Sequence, residues 1–195
     1  MSKLPSKPAE TLDITRKIAL AYAPAAARPA WLALFMLEQK LAETARPGRE
    51  PLMVQLRLSW WRDRLNESGE AWPVSEPALA SLRAWKGQHG RLVELVDSWE
   101  ARAMGEEQED EFALALTNAY LALAEVLDVR DKGAIAAHAR YLAGEATSGG
   151  RRGALPRAMR PLAVLCAMKD SSDNPGKGRR LVDFLRVVRA GTLGF

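Results

Sequence analysis

Apolar residues along this chain recur three and four positions apart, and no stretch alternates apolar with polar over any length. The pattern predicts helices throughout. The first opens at Asp13, a capping residue, and runs through Ile14, Ile18 and Tyr22 until Pro24 stops it. After the small-residue turn APAAARP, Pro29 opens a second helix from about Ala30 to Ala45. It carries Trp31, Leu34, Phe35, Leu37 and Leu41, and Arg46-Pro47-Gly48 ends it. The third, EPLMVQLRLSWWRDRL from Glu50 to Leu65, is the most distinctive stretch of the chain. Pro51 suits a first helical turn, and Glu50 places negative charge at the helix's positive end. Met53, Leu56 and Trp60 make one apolar row, and Leu58, Trp61 and Leu65 make another. Two rows predict a helix buried on more than one side. Arg57, Arg62, Asp63 and Arg64 then emerge at its margins or face a polar cavity.

Asn66 to Pro77 reads as a loop, followed by a short helix over about Ala78 to Trp85 and a break at Lys86 to Gly90. Leu92, Leu95, Val96 and Trp99 mark the next amphipathic helix, which Gly105 interrupts before the acidic run EEQEDE. Phe112, Leu116, Ala119, Tyr120, Leu123 and Val126 follow one helical face, and a further helix starts at Gly133 and runs through Ile135, His138 and Leu142. Thr147 to Gly153 (TSGGRRG) reads as a linker. Two helices close the chain, from about Pro156 to Met168 and from Gly178 to Ala190, the last with Leu181, Phe184, Leu185 and Val188 as its buried stripe. Residues 1–10 read as a flexible tail, and residues 11–195 as one all-α domain. No repeat at solenoid spacing is present.

Composition agrees with helix and narrows the class. The 195 residues are 48% hydrophobic and 27% charged, which excludes a disordered chain and allows a sizeable core. β-Branched residues are few beside Ala, Leu, Glu and Arg. A single cysteine, Cys166, rules out an intramolecular disulfide, and a reducing, cytoplasmic setting is the expectation. No apolar run reaches transmembrane length, though a peripheral membrane contact remains open. The net charge of +4 is uneven. Residues 151–195 hold 10 Lys/Arg against 3 Asp, whereas the first 150 residues hold 18 basic against 21 acidic side chains. The basic end suits a phosphate, an anionic lipid or an acidic partner, or is simply a solvated face. It lacks interleaved aromatics and any nucleic-acid module pattern, so nucleic-acid binding is not expected.

Candidate chemistry is sparse. His89 and His138 lie far apart, and Cys166 in PLAVLCAM reads as an inert core thiol. Asp63 with Glu67, Glu106 with Asp110, and Glu107 with Glu111 are carboxylates four apart that can hold Mg²⁺ against a diphosphate, or else sit in ion-paired and solvated helix ends. Arg57, Arg62 and the two tryptophans can make a pocket for an anionic ligand with an apolar tail, or be core tryptophans edged by snorkelling arginines.

Three consecutive pieces carry a family resemblance: ALAYAPAAARPAWLALF (Ala19 to Phe35), LEQKLAETAR (Leu37 to Arg46) and EPLMVQLRLSWWRDRL. In order and spacing they resemble the squalene/phytoene synthase family, especially its divergent bacterial members and the related complex I assembly factor. The resemblance covers roughly residues 12–66 and loosens toward the C-terminus. It implies an all-α isoprenoid-synthase bundle, here shortened, around a cavity that in active members holds prenyl diphosphates on Mg²⁺ bound by two aspartate-rich motifs. This chain departs from both motifs. Ala42, Glu43 and Arg46 fall at the first, and Glu145 in GEATSGGRRGALP is the only acid near the second. Ionising an allylic diphosphate needs cations clamped on the leaving group and carboxylates to seat them. The expectation is therefore a member without synthase activity and without a cofactor, binding a prenyl diphosphate or prenyl lipid, or serving a protein partner as an assembly factor does. A surviving pocket would be lined by Arg28, Arg57, Trp60, Trp61, Arg62 and Asp63. Two alternatives stand beside it. One is a prenyltransferase that seats Mg²⁺ on Glu38, Glu43, Asp63 and Glu67. The other is a degenerate module that only packs against a partner.

Overall fold

The computed structural model describes residues 8–73, 75–106, 109–145, 152–173 and 180–194, and all regular secondary structure among them is helical. After a 3-10 turn at Pro8–Thr11, the helices are α1 (Ile14–Ala21), α2 (Arg28–Thr44), α3 (Pro51–Asn66), α4 (Pro77–Leu82), α5 (Val93–Met104), α6 (Glu109–Val126), α7 (Lys132–Ala143), α8 (Arg160–Asp173) and α9 (Arg180–Leu193). The all-α expectation holds. Most of the expected linker, and the tail up to residue 7, lie outside the described residues.

Local chemistry sets the helix ends. Asp13 accepts a hydrogen bond from the Arg16 backbone N–H at 2.9 Å, the N-cap read from the sequence. Pro51 and Pro77 each occupy a first turn, where their missing N–H costs no hydrogen bond. Gly105 closes α5 at φ +73°, and the Glu106 N–H reaches back to Ala101 O at 2.9 Å. That wrap needs a left-handed residue, which glycine supplies without strain. Acids and bases lock some contacts between helices: Arg91 of the 3-10 turn Gln88–Leu92 pairs with Glu125 of α6, which also takes Lys132 of α7 at 2.7 Å.

The core is built around α2, not around the tryptophan-rich α3. Every residue from Ala33 to Glu38 is buried, as are Ala30, Trp31 and Leu41. A helix apolar on all sides is stable only when it is enclosed. Around it the contacts run α1 with α8, α3 with α5, α4 with α2, and α6 with both α5 and α7. Indole N–H groups fasten the layers. Trp31 donates to Ala158 O at 2.8 Å, Trp85 to Ala30 O at 3.1 Å, and Trp72 to Arg64 O at 2.6 Å. Each of these three indoles thereby has its one donor satisfied, as burial favours.

Two sequence expectations are corrected here. α3 is buried on one side only: Val54, Leu58, Trp61 and Leu65 are buried, whereas Leu52, Met53 and Leu56 are exposed. Of the row Met53, Leu56 and Trp60, only Trp60 packs against the core. In α9, Leu185 is 54% exposed and therefore does not belong to a buried stripe, and Val187 and Ala190 make the core contacts instead. Leu181 and Phe184 of that stripe lie among side chains outside the description.

Candidate functional site

The two-sidedness of α3 creates the most prominent surface groove beside the expected site residues. Met53, Leu56, Arg57 and Trp60 fall three and four apart, so they share one face. That face looks across at Lys40, Glu43 and Thr44 near the end of α2, and at Glu76 ahead of α4. Together they bound a groove of about 750 Å³. Trp60 is half-buried at its base. Its ring stands edge-on to Trp61 at 5.0 Å, and the Arg57 and Arg64 guanidiniums each lie 5.9 Å from its centre. Charge in the groove is balanced: Lys40, Arg49 and Arg57 face Glu43, Glu50 and Glu76.

The six residues expected to line one pocket separate. Arg57, Trp60 and Trp61 line this groove. Trp61 is 2% exposed and so contributes wall rather than contact area. Arg62 points to the other flank of α3, where it bonds Asp97 of α5 at 2.6 Å and also pairs with Glu100. Burial pulls its guanidinium down, but hydrogen bonds and charge from Asp97 and Glu100 outweigh that and hold it above its ordinary value. Arg62 is thus a clamp between helices. Asp63 is exposed and lies outside the groove. Arg28 sits at the opposite end of α2, about 22 Å from Glu43 by helical rise. There it donates to Ala23 O at 3.2 Å.

The carboxylates named for the metal-dependent alternative also separate. Glu67 pairs with Arg64 at 2.6 Å, Glu43 accepts from Gln39 at 2.9 Å, and Glu38 turns inward to Arg16 at 3.2 Å. Glu38 and Glu43 are five positions apart on α2 and therefore diverge around it. Among the described residues no three His, Cys, Asp or Glu side chains form a group that could hold a metal ion. No described helix is long and apolar enough to cross a membrane.

Cys166 is buried in α8, with its thiol 3.4 Å from His138 O. Burial pushes the thiol up to about 12. Native protein at about pH 8 is expected to resist a thiol-labelling reagent that reacts at once in denaturant, because the nucleophile is the thiolate. Rapid native labelling would show that α8 opens. Near it, Arg152 bonds Asp170 at 3.1 Å and stacks on Tyr141 at 3.9 Å, so part of the basic C-terminal charge is already engaged.

Glu38, expected only as a metal ligand, instead belongs to a second, internal polar site. Glu38 lies on the apolar stripe of α2, four residues after Leu34 and three before Leu41. A carboxylate on a buried stripe was the available signal, since such a group must find a partner. Its partner is Arg16 of α1, which also holds Asp13 at 2.5 Å.

The fold is an all-α helical bundle with an apolar, charge-flanked face on α3. In comparisons with protein-family models, curated proteins and solved structures, the chain matches none.

Proposed function

We propose that this protein works without catalysis, as a docking protein whose α3 face receives a helix of a protein partner, in the manner of an assembly factor. The observation that carries the reading is the exposure of Leu52, Met53 and Leu56 at 58%, 59% and 57% on one helix. Three large apolar side chains in a row, rimmed by charges of both signs, are what a partner interface requires. The balanced charge favours a protein over a diphosphate, which would face Glu43, Glu50 and Glu76 as well as the three cations. We propose that the squalene/phytoene synthase likeness of residues 12–66 reflects common ancestry. It is compatible with lost catalysis, because three of the four candidate metal carboxylates, Glu38, Glu43 and Glu67, are engaged by Arg16, Gln39 and Arg64.

A photo-crosslinking residue placed at Leu56, with Asp63 as the comparison position, tests the reading in cells. One discrete protein adduct from position 56, and none from 63, is expected. Leu52→Glu, introduced beside the probe, should abolish that adduct while leaving the melting temperature unchanged, because an exposed side chain contributes within about 0.5 kcal/mol to folding. Absence of a discrete adduct, or binding of anionic vesicles that Leu52→Glu abolishes, would replace the protein partner with a lipid surface or with nothing. Turnover of prenyl diphosphates by purified protein with Mg²⁺ would overturn the non-catalytic reading itself.

A further inference from the structure

The outward face of α3 is arranged symmetrically about Leu56. Leu52 and Trp60 lie four positions to either side of it, and Arg49 and Asp63 lie seven to either side. Steps of four keep Leu52, Leu56 and Trp60 on one helical face, and a step of three adds Asp63 in the last turn. Arg49 flanks the first turn from just ahead of the N-cap Glu50. The three central side chains are apolar; Leu52 and Leu56 are exposed and Trp60 is half-buried. The two outer ones carry opposite charges, are exposed, and make no ion pair among the described residues. Their neighbours differ: Arg62 holds Asp97 and Glu100, and Arg64 holds Glu67.

We infer that this face pairs with the same face of a second copy of the chain, antiparallel, about a twofold axis at Leu56. Resting on the reading of α3 as a docking face, this pairing names what covers it in the protein alone. The twofold sets Leu56 on Leu56, Leu52 on Trp60 of the second copy, and Arg49 on Asp63 of the second copy. Each apolar side chain thereby meets another, and each end gains an ion pair. A parallel pair would set Arg49 on Arg49 and Asp63 on Asp63, and those opposed like charges select against it. The groove beside the face, with Lys40, Arg49 and Arg57 against Glu43, Glu50 and Glu76, adds no net charge to hold two copies apart. Size sets the strength. A helix of 16 residues is about 24 Å long, and one helix laid along it buries on the order of 800 Å², below the roughly 1,200 Å² of a standard interface. The pair is therefore transient. It covers the face in concentrated protein, yields to a partner helix that binds more tightly, and is dissociated at the low concentrations of a cell.

Sedimentation velocity of the purified full-length protein from about 5 to about 500 µM tests the pairing. A monomer–dimer equilibrium within that range is expected, and Leu56→Glu should stay monomeric throughout. Arg49→Asp and Asp63→Arg each oppose like charges and should weaken the pair about three- to tenfold, the effect of an exposed ion pair counted twice, and the two combined should restore it. Cysteine substitution reads the register. Leu56→Cys should form a disulfide-linked dimer on mild oxidation, because the axis brings that residue onto itself. Leu52→Cys should not, because its two copies stand about 12 Å apart along the helices, beyond disulfide reach. Cys166 is buried and stays out of the reaction. A monomer at every concentration, no recovery in the combined variant, or linking at position 52 as readily as at 56 would each overturn the pairing. None of these results touches the docking reading, which fails instead on the absence of an adduct from position 56 in cells.

Discussion

Trp31→Ala is expected to lower the melting temperature by about 6–20 °C, among the largest effects of any single substitution in this protein. The reasoning starts from position. Trp31 sits in the first turns of α2 and is fully buried. Its ring meets Phe35 at 5.2 Å and Tyr120 at 5.8 Å, so one side chain joins α2 to α6. Its indole N–H also donates to Ala158 O, a residue 127 positions away in sequence. Truncation loses the transfer energy of the ring, leaves a cavity that enclosed α2 cannot collapse into, and strands a carbonyl. Large aromatic truncations in cores cost about 3–5 kcal/mol. Trp31→Phe should cost less, about 1–3 kcal/mol, because most of the volume remains and chiefly the hydrogen bond to Ala158 is lost. Trp60→Ala is the comparison: half-buried at the groove base, it should move the melting temperature less than either. Thermal denaturation followed by circular dichroism ranks the three. A melt of Trp31→Ala superimposable on the parent would mean that α2 is not the centre of the core.

The same contrast between Trp31 and Trp60 marks what the sequence makes legible. Helix existence and approximate bounds follow from capping and breaking residues, and Asp13, Pro51, Pro77 and Gly105 all act as their chemistry predicts. Which helix occupies the centre does not follow from the most conspicuous composition. The double tryptophan makes α3 the most conspicuous helix in the sequence, yet α3 is buried on one side only. α2 carries the unbroken run from Ala33 to Leu37, and an all-round apolar surface is the better mark of a central helix. The site was legible only in part. Arg57, Trp60 and Trp61 share a groove because helical spacing puts them close on one helix. Arg28, Arg62 and Asp63 share the expectation through residue type, and type says nothing about direction. Arg62 is drawn away by two carboxylates on α5, which lie 35 and 38 residues along the chain. Long-range pairings of that kind have no local signal. The Glu38–Arg16 pair had half of one, an acid on an apolar stripe, with nothing to identify its partner.

That buried pair carries the second large prediction. Arg16→Met is expected to destabilise the protein by about 3–5 kcal/mol at neutral pH, because it leaves Glu38 buried with no compensating charge. The double variant Arg16→Met/Glu38→Leu should recover most of the loss. Replacing a buried pair by apolar side chains of similar volume is often neutral or stabilising, whereas removing one partner is not. Asp13 also loses its contact to Arg16, but it is the more exposed of the two acids, at 39% against 6% for the Glu38 side chain, and contributes the smaller share. The pH dependence follows from the direction of the shift. Burial raises the Glu38 carboxyl above its ordinary 4.5, and the charge and hydrogen bond of Arg16 pull it only partly back. A carboxyl raised on folding binds its proton more tightly in the folded state. Its contribution is complete below 4.5 and fades as pH rises through the folded value. Removing Arg16 takes away the pull and moves that folded value higher still. The deficit of Arg16→Met relative to the parent should therefore be largest at neutral pH and shrink on acidification, as protonation neutralises the stranded carboxylate. Urea unfolding of parent, both single variants and the double variant at about pH 7.5 and about pH 5 measures this directly. If the deficit is the same at both pH values and the double variant recovers nothing, then Arg16 acts through its packing in α1, and Glu38 is satisfied by something other than its charge.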